Sequence, residues 1–145
     1  MTAIRSTAYA SPAAPSAVVS PARAGIRAGV TAIVAVIVLH VIGTAAGASW
    51  LLSMPGAGAI PVPLPSVVTS AIIPIVIGTV ALFIARRSPR AVAALAWAGL
   101  AVGLLTVVAP LSADGDLLAR VLLAAMHVAV GVAWFCAVPR RGAAT

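Results

Sequence analysis

Charge is what this chain has least of. Charged residues make up 8% of it, against about a quarter in an ordinary soluble domain. Lysine and glutamate are both absent, and the two acidic residues, Asp114 and Asp116, share one short turn. So few charges cannot cover a water-facing surface on a chain that is 63% hydrophobic, so lipid is the expected solvent. With both acids in one turn, no Ser–His–Asp set, Gly-rich phosphate loop or metal-binding cluster can be assembled, and no enzymatic activity is expected. The single cysteine, Cys136, excludes an intrachain disulfide and a multi-cysteine metal site. Aromatic residues are only 4% of the chain, too few to line a large macrocycle comfortably.

What is present is arginine and long apolar runs. The net charge of +7 does not imply nucleic acid, because the nine arginines stand singly or in pairs beside apolar runs. That is the pattern of membrane-flanking charge. Abundant Ala, Val and Gly without lysine match the codon bias of a high-GC bacterium.

No charge occurs from Ala28 to Ala85. One helix crosses the bilayer core with about 20 residues, so the run holds two spans and a hairpin. The break is "MPGAGAIPVPLPS", whose glycines and four prolines do not fit a helix interior. The expected spans are residues 30–52, 66–85, 91–111 and 117–138, within a transmembrane domain of residues 26–141. Pro12, Pro15 and Pro21 interrupt residues 1–25, which read as a disordered cytoplasmic tail. Residues 142–145 form a short second tail. Asp114 is the expected N-cap of the last span, with Asp116 in its first turn.

Four spans place both termini on one side. Eight of the nine arginines fall there: Arg5, Arg23, Arg27, Arg86, Arg87, Arg90, Arg140 and Arg141. Only Arg120 falls opposite, beside both aspartates. The positive-inside rule then makes both termini cytoplasmic, in a bacterial plasma membrane. A competing reading is cleavage after Ala48, where "AGA" resembles a signal-peptidase site; the apolar "WLL" that follows argues against it.

Small residues permit close helix packing in lipid. Gly43 with Gly47, and Gly99 with Gly103, form GxxxG pairs, and Ala125, Ala129, Ala133 and Ala137 recur in the last span. The expected fold is an all-α four-helix transmembrane bundle. Trp50 and Trp134 are expected at the two interfaces, and Trp97 between helices. Cys136 reads as a small apolar side chain.

Ionisable groups inside a span are costly and usually face the bundle interior. Arg120, four residues after Asp116, reads as an interfacial arginine paired with it. His40 and His127 each lie 13 residues from an arginine, Arg27 and Arg140. At about 1.5 Å per residue each is roughly 20 Å from its flank, so they share a layer near midplane. Pro74 and Gly103 fall at the same depth. Pro74 also frees the carbonyl of Ser70 as an acceptor. His40, His127, Ser70, Pro74 and Gly103 are therefore the candidate ligand-binding set. Interhelical hydrogen bonding by neutral imidazoles is the leading explanation. A small-ligand or proton-handling pocket and bis-histidine haem b are the alternatives.

The segment "APLSADGDLLARVLLAAMHVAVGVAWFCAVPRR" resembles an uncharacterised family of actinobacterial four-span membrane proteins, chiefly over its last helix. The shared features are Pro110–Ser112 with Asp114 or Asp116, Arg120, and the Met126–His127 pair. The resemblance implies a plasma-membrane protein of unknown function and assigns no catalytic residue. The reading that results is a non-enzymatic structural or partner subunit, with no cofactor and no metal. Its contacts are the bilayer and a second copy or another membrane protein, not nucleic acid. The alternative is a small transporter, or a carrier of haem or another small ligand, built on His40 and His127.

Overall fold

The computed structural model describes residues 20–53 and 58–140. Most of the expected N-terminal tail (1–19), the hairpin tip (54–57) and the tail 142–145 lie outside the described residues. The elements are α1 (Pro21–Ala45), β1 (Leu51–Ser53), β2 (Ala59–Pro61), α2 (Leu64–Ala85), α3 (Pro89–Leu105), α4 (Val108–Ser112), β3 (Asp114–Gly115) and α5 (Leu117–Ala137). Among the described residues four helical stretches are long and apolar enough to cross a membrane, with α3 and α4 together counting as one.

Local chemistry explains the helix boundaries, and it moves several of them from their expected places. Pro21 does not interrupt a helix but opens one: α1 begins there, where a missing N–H costs nothing. The first span therefore starts earlier than residue 30. It also stops at Ala45, short of residue 52, because Gly47 turns the chain at a positive φ of 84°. Pro89 begins α3, and the Ser88 hydroxyl accepts from the Ala91 N–H at 3.3 Å. The break between α3 and α4 falls at Thr106–Val107, one turn before Pro110, which has no N–H to give the Thr106 carbonyl. The N-cap of α5 is Asp116, accepting from the Leu118 N–H at 3.1 Å, and not Asp114. Asp114 is in β3, its backbone paired with Ser53.

The sheet was not expected. β1 lies between β2 and β3, antiparallel to both, and joins the two loops at one end of the bundle. The arginine-rich turn Arg86–Arg90 lies at the other end, with the start of α1 and the end of α5. Within the bundle α5 packs between α1 and α3, and α2 packs on α1. Near the arginine end the core is built of small residues, including Ala24, Ala28, Ala32, Ala96 and Ala133, closed by Leu82 and Trp134. Toward the sheet it passes to Val36, Val67, Ala71, Leu123 and Met126. Large apolar side chains cover the outside; Ile84 is 81% exposed and Leu105 72%. Such a surface suits hydrocarbon, which is as apolar as leucine.

The two GxxxG pairs have different fates. Gly99 and Gly103 both face α5, within the chain. Gly43 is packed under Leu122 and Trp50, while Gly47 has left the helix for the turn and meets no neighbour.

Candidate functional site

α2 and α3 meet near the Arg86–Arg90 turn and enclose, with α5 behind them, a cavity of about 450 Å³. That falls within the roughly 300–1,000 Å³ typical of small-molecule sites. Because α1–α2, α1–α5 and α3–α5 are the closely packed pairs, the open side is the cleft between α2 and α3.

Trp134 forms the end wall toward the arginines. It is 4% exposed, and its indole lies between two glycines on neighbouring helices. A Cβ on Gly78 would come within 2.6 Å of the ring, and one on Gly99 would overlap it. The indole Nε1–H donates to the Leu95 carbonyl at 2.9 Å. The expected interfacial anchor is thus a buried wedge. Trp97 is the outward one, 59% exposed and edge-on to Phe135 at 4.6 Å. The exchange follows from Gly78 and Gly99, which leave room for an indole at Trp134 and nowhere near Trp97. Arg140 lies over the Phe135 ring at 3.7 Å and donates to its carbonyl. Cys136 is exposed and free.

The cavity wall is apolar apart from a few groups. Ser66, Ser70, Thr106 and His127 contribute polar atoms, and no charged residue lines it. The Ser70 hydroxyl donates to the Ser66 carbonyl at 2.8 Å, and that of Thr106 to the Val102 carbonyl at 2.7 Å. Both hydroxyl protons are therefore committed, leaving oxygen lone pairs toward the space. Pro74 lies inside α2 and lines the same wall. Having no N–H, it leaves the Ser70 carbonyl without its helical donor. His127 is half-buried on the cavity wall, and its imidazole makes no hydrogen bond among the described residues.

Of the five residues expected to form one site, the structure brings together His127, Ser70, Pro74 and Gly103. Gly103 seats α3 on α5 at the histidine turn: a Cβ there would be 2.8 Å from both the His127 carbonyl oxygen and the Gly131 Cα. His40 is the exception and does not line the cavity. Its ring stacks on Trp50, centroids 4.2 Å apart and planes 17° from parallel. Trp50 donates to the Thr44 hydroxyl at 2.9 Å, which donates to the His40 carbonyl at 2.9 Å. The His40 Nδ1 is buried without a partner. Counting residues along each helix does not give direction around the bundle, and the two imidazoles do not line the same cavity.

The expected Asp116–Arg120 pair is also replaced. Asp116 is occupied by the Leu118 N–H and by the Ser49 N–H, the latter at 2.9 Å. Arg120 reaches back to the Leu111 carbonyl at the end of α4, and its Nε is buried and unpartnered. Capping α5 and tying down the Ser49 turn keeps the carboxylate from the arginine. Among the described residues no group of three or more His, Cys, Asp or Glu converges.

Sequence reasoning missed Trp134 and the cavity above it. A signal was available: Gly78 is eight residues before Arg86, Gly99 nine after Arg90, and Trp134 six before Arg140. Two glycines and an indole at similar depth mark a wedge. The chain belongs to a family of unknown function (DUF6069), whose profile matches residues 16–144, well beyond the last helix. Neither the curated proteins nor the solved structures contain a significant match to it.

Proposed function

We propose that this chain is a non-enzymatic, multi-pass protein of a bacterial, actinobacterial plasma membrane that holds an uncharged, lipid-soluble small molecule in the cleft between α2, α3 and α5. The observation that carries the reading is an unpartnered imidazole, His127, on the wall of an otherwise apolar cavity. A polar group inside a membrane normally finds a partner, and one left facing space marks a site. A structural or partner-subunit role accounts for the glycine and alanine seams but leaves this cavity without a use. The absence of lining charge disfavours an anionic headgroup or a free ion as the occupant.

Ala98 lines the cavity from α3 and is exposed, so Ala98→Phe should fill the space without disturbing a packed seam. Gentle-detergent purification followed by solvent extraction and mass spectrometry should find a small molecule retained by the wild type and lost from the variant. Identical extracts from two equally folded proteins would remove the ligand-site reading.

The orientation we propose puts both termini and the Arg86–Arg90 turn in the cytoplasm, on the positive-inside rule. In a Cys136→Ala background, Ser112→Cys should react with an impermeant thiol reagent in intact cells and Ser88→Cys should not. The reverse pattern would invert the protein in the membrane.

A further inference from the structure

Resting on the ligand-site reading, we infer that the occupant carries a hydroxyl group as a hydrogen-bond donor and sits with that group at the His127 level, its apolar body along the cleft. The cavity wall offers few polar groups. Acceptors predominate there. The Ser70 carbonyl is released by Pro74, and it lies on the stripe between two residues that both line the cavity. The Ser70 hydroxyl has already given its proton to the Ser66 carbonyl, and the Thr106 hydroxyl has given its proton to the Val102 carbonyl. Each can now only accept.

His127, as a neutral imidazole, adds one donor and one acceptor, and the Ser66 hydroxyl adds a second donor. A ligand whose only polar atom is a ketone or ether oxygen would satisfy the histidine donor and leave every acceptor unmet. An alcohol or phenol donates to one acceptor and accepts from the imidazole at once. Buried polar groups favour such mutual satisfaction, and a site built to bond an O–H discriminates against an analogue lacking it. A carboxylate or phosphate would add charge where no lining cation meets it. The class is therefore an uncharged long-chain or isoprenoid alcohol, or a phenol with an apolar tail. Such a molecule dissolves in the bilayer and reaches the cleft sideways, between α2 and α3.

The test uses the full chain in detergent, tritiated farnesol as probe, and displacement by unlabelled farnesol or farnesyl methyl ether. The ether keeps the apolar body and lacks the donor. Wild type should bind farnesol about tenfold more tightly than the ether, the worth of one good hydrogen bond. His127→Leu removes the donor that both compounds use, so it should weaken both about tenfold and leave the preference in place. Pro74→Ala supplies an N–H for the Ser70 carbonyl while favouring the helix. It should reduce the preference about threefold. Equal affinities in the wild type, an undiminished preference in Pro74→Ala, or a His127→Leu variant that binds both compounds as tightly as the wild type, would overturn the hydroxyl assignment while leaving a ligand site. No saturable binding of either compound, with wild type and Ala98→Phe alike, would remove the ligand site itself.

Discussion

Trp134→Ala should cost about 3–5 kcal/mol of bundle stability, the range for deleting a large buried aromatic. The loss comes from packing rather than from hydrophobic transfer, since the alternative solvent is lipid. The indole fills the space left by Gly78 and Gly99, so its removal uncouples α2 from α3 at the point where they hold the cavity's end wall. The test is reversible unfolding of the detergent-purified protein in SDS, followed by circular dichroism. Trp134→Phe loses the bond to Leu95 and the outer ring edge that fills the Gly78 notch, so it should cost about 1–2 kcal/mol, an interhelical hydrogen bond plus a small cavity. Equal losses for the two variants would mean that the Leu95 bond and the outer ring edge, not the bulk of the wedge, hold the helices.

Gly103→Ala has the next largest expected effect. A methyl there would stand 2.8 Å from the Gly131 Cα and from the His127 carbonyl oxygen, both backbone atoms that cannot rotate away. Overpacking of this kind costs about 1–3 kcal/mol, and we place it at the upper end. Alanine's better helix propensity returns up to about 1 kcal/mol, for a net loss of about 2 kcal/mol. Gly131→Ala is the internal control. Its nearest contact would be 3.1 Å, to the Gly103 Cα, so a few tenths of an ångström of movement relieves it. Its net change in the same unfolding assay should be within about 1 kcal/mol, because propensity offsets the smaller clash. If both variants were equally harmless, α3 and α5 would not meet as closely as described.

These two seams show what was legible in the sequence. Helix number was readable because charge-free runs are a one-dimensional property. Ser70, Pro74, Gly103 and His127 line one cavity. Direction around each helix was not readable, since it depends on which neighbour each face meets. His40 illustrates the limit: it turns to Trp50, a residue that reaches it only because Gly47 reverses the chain. Sheet formation was hidden for a related reason. Leu51–Ser53 and Ala59–Pro61 are three-residue strands among prolines, too short for alternation to appear, and their pairing with Asp114–Gly115 is contributed by a distant loop. Trp134 resembled an interfacial anchor because tryptophan near a span end usually is one. The glycines that bury it lie on other helices.

The most direct test of a cleft open to the bilayer is photolabelling of the protein in its native membrane with a long-chain alcohol carrying a diazirine. Mass spectrometry of the labelled peptides then locates the insertions. Outward residues such as Ile84, Leu105 and Val121 contact lipid whatever the cleft does, and they serve as the reference. His127 and Val130 line the cavity from α5, behind α2 and α3, and are reachable only through the opening. Strong labelling is expected at His127 and Val130, suppressed by excess farnesol and abolished in Ala98→Phe. Labelling confined to the outward residues would show that α2 and α3 close over α5, and would contradict a ligand site at His127.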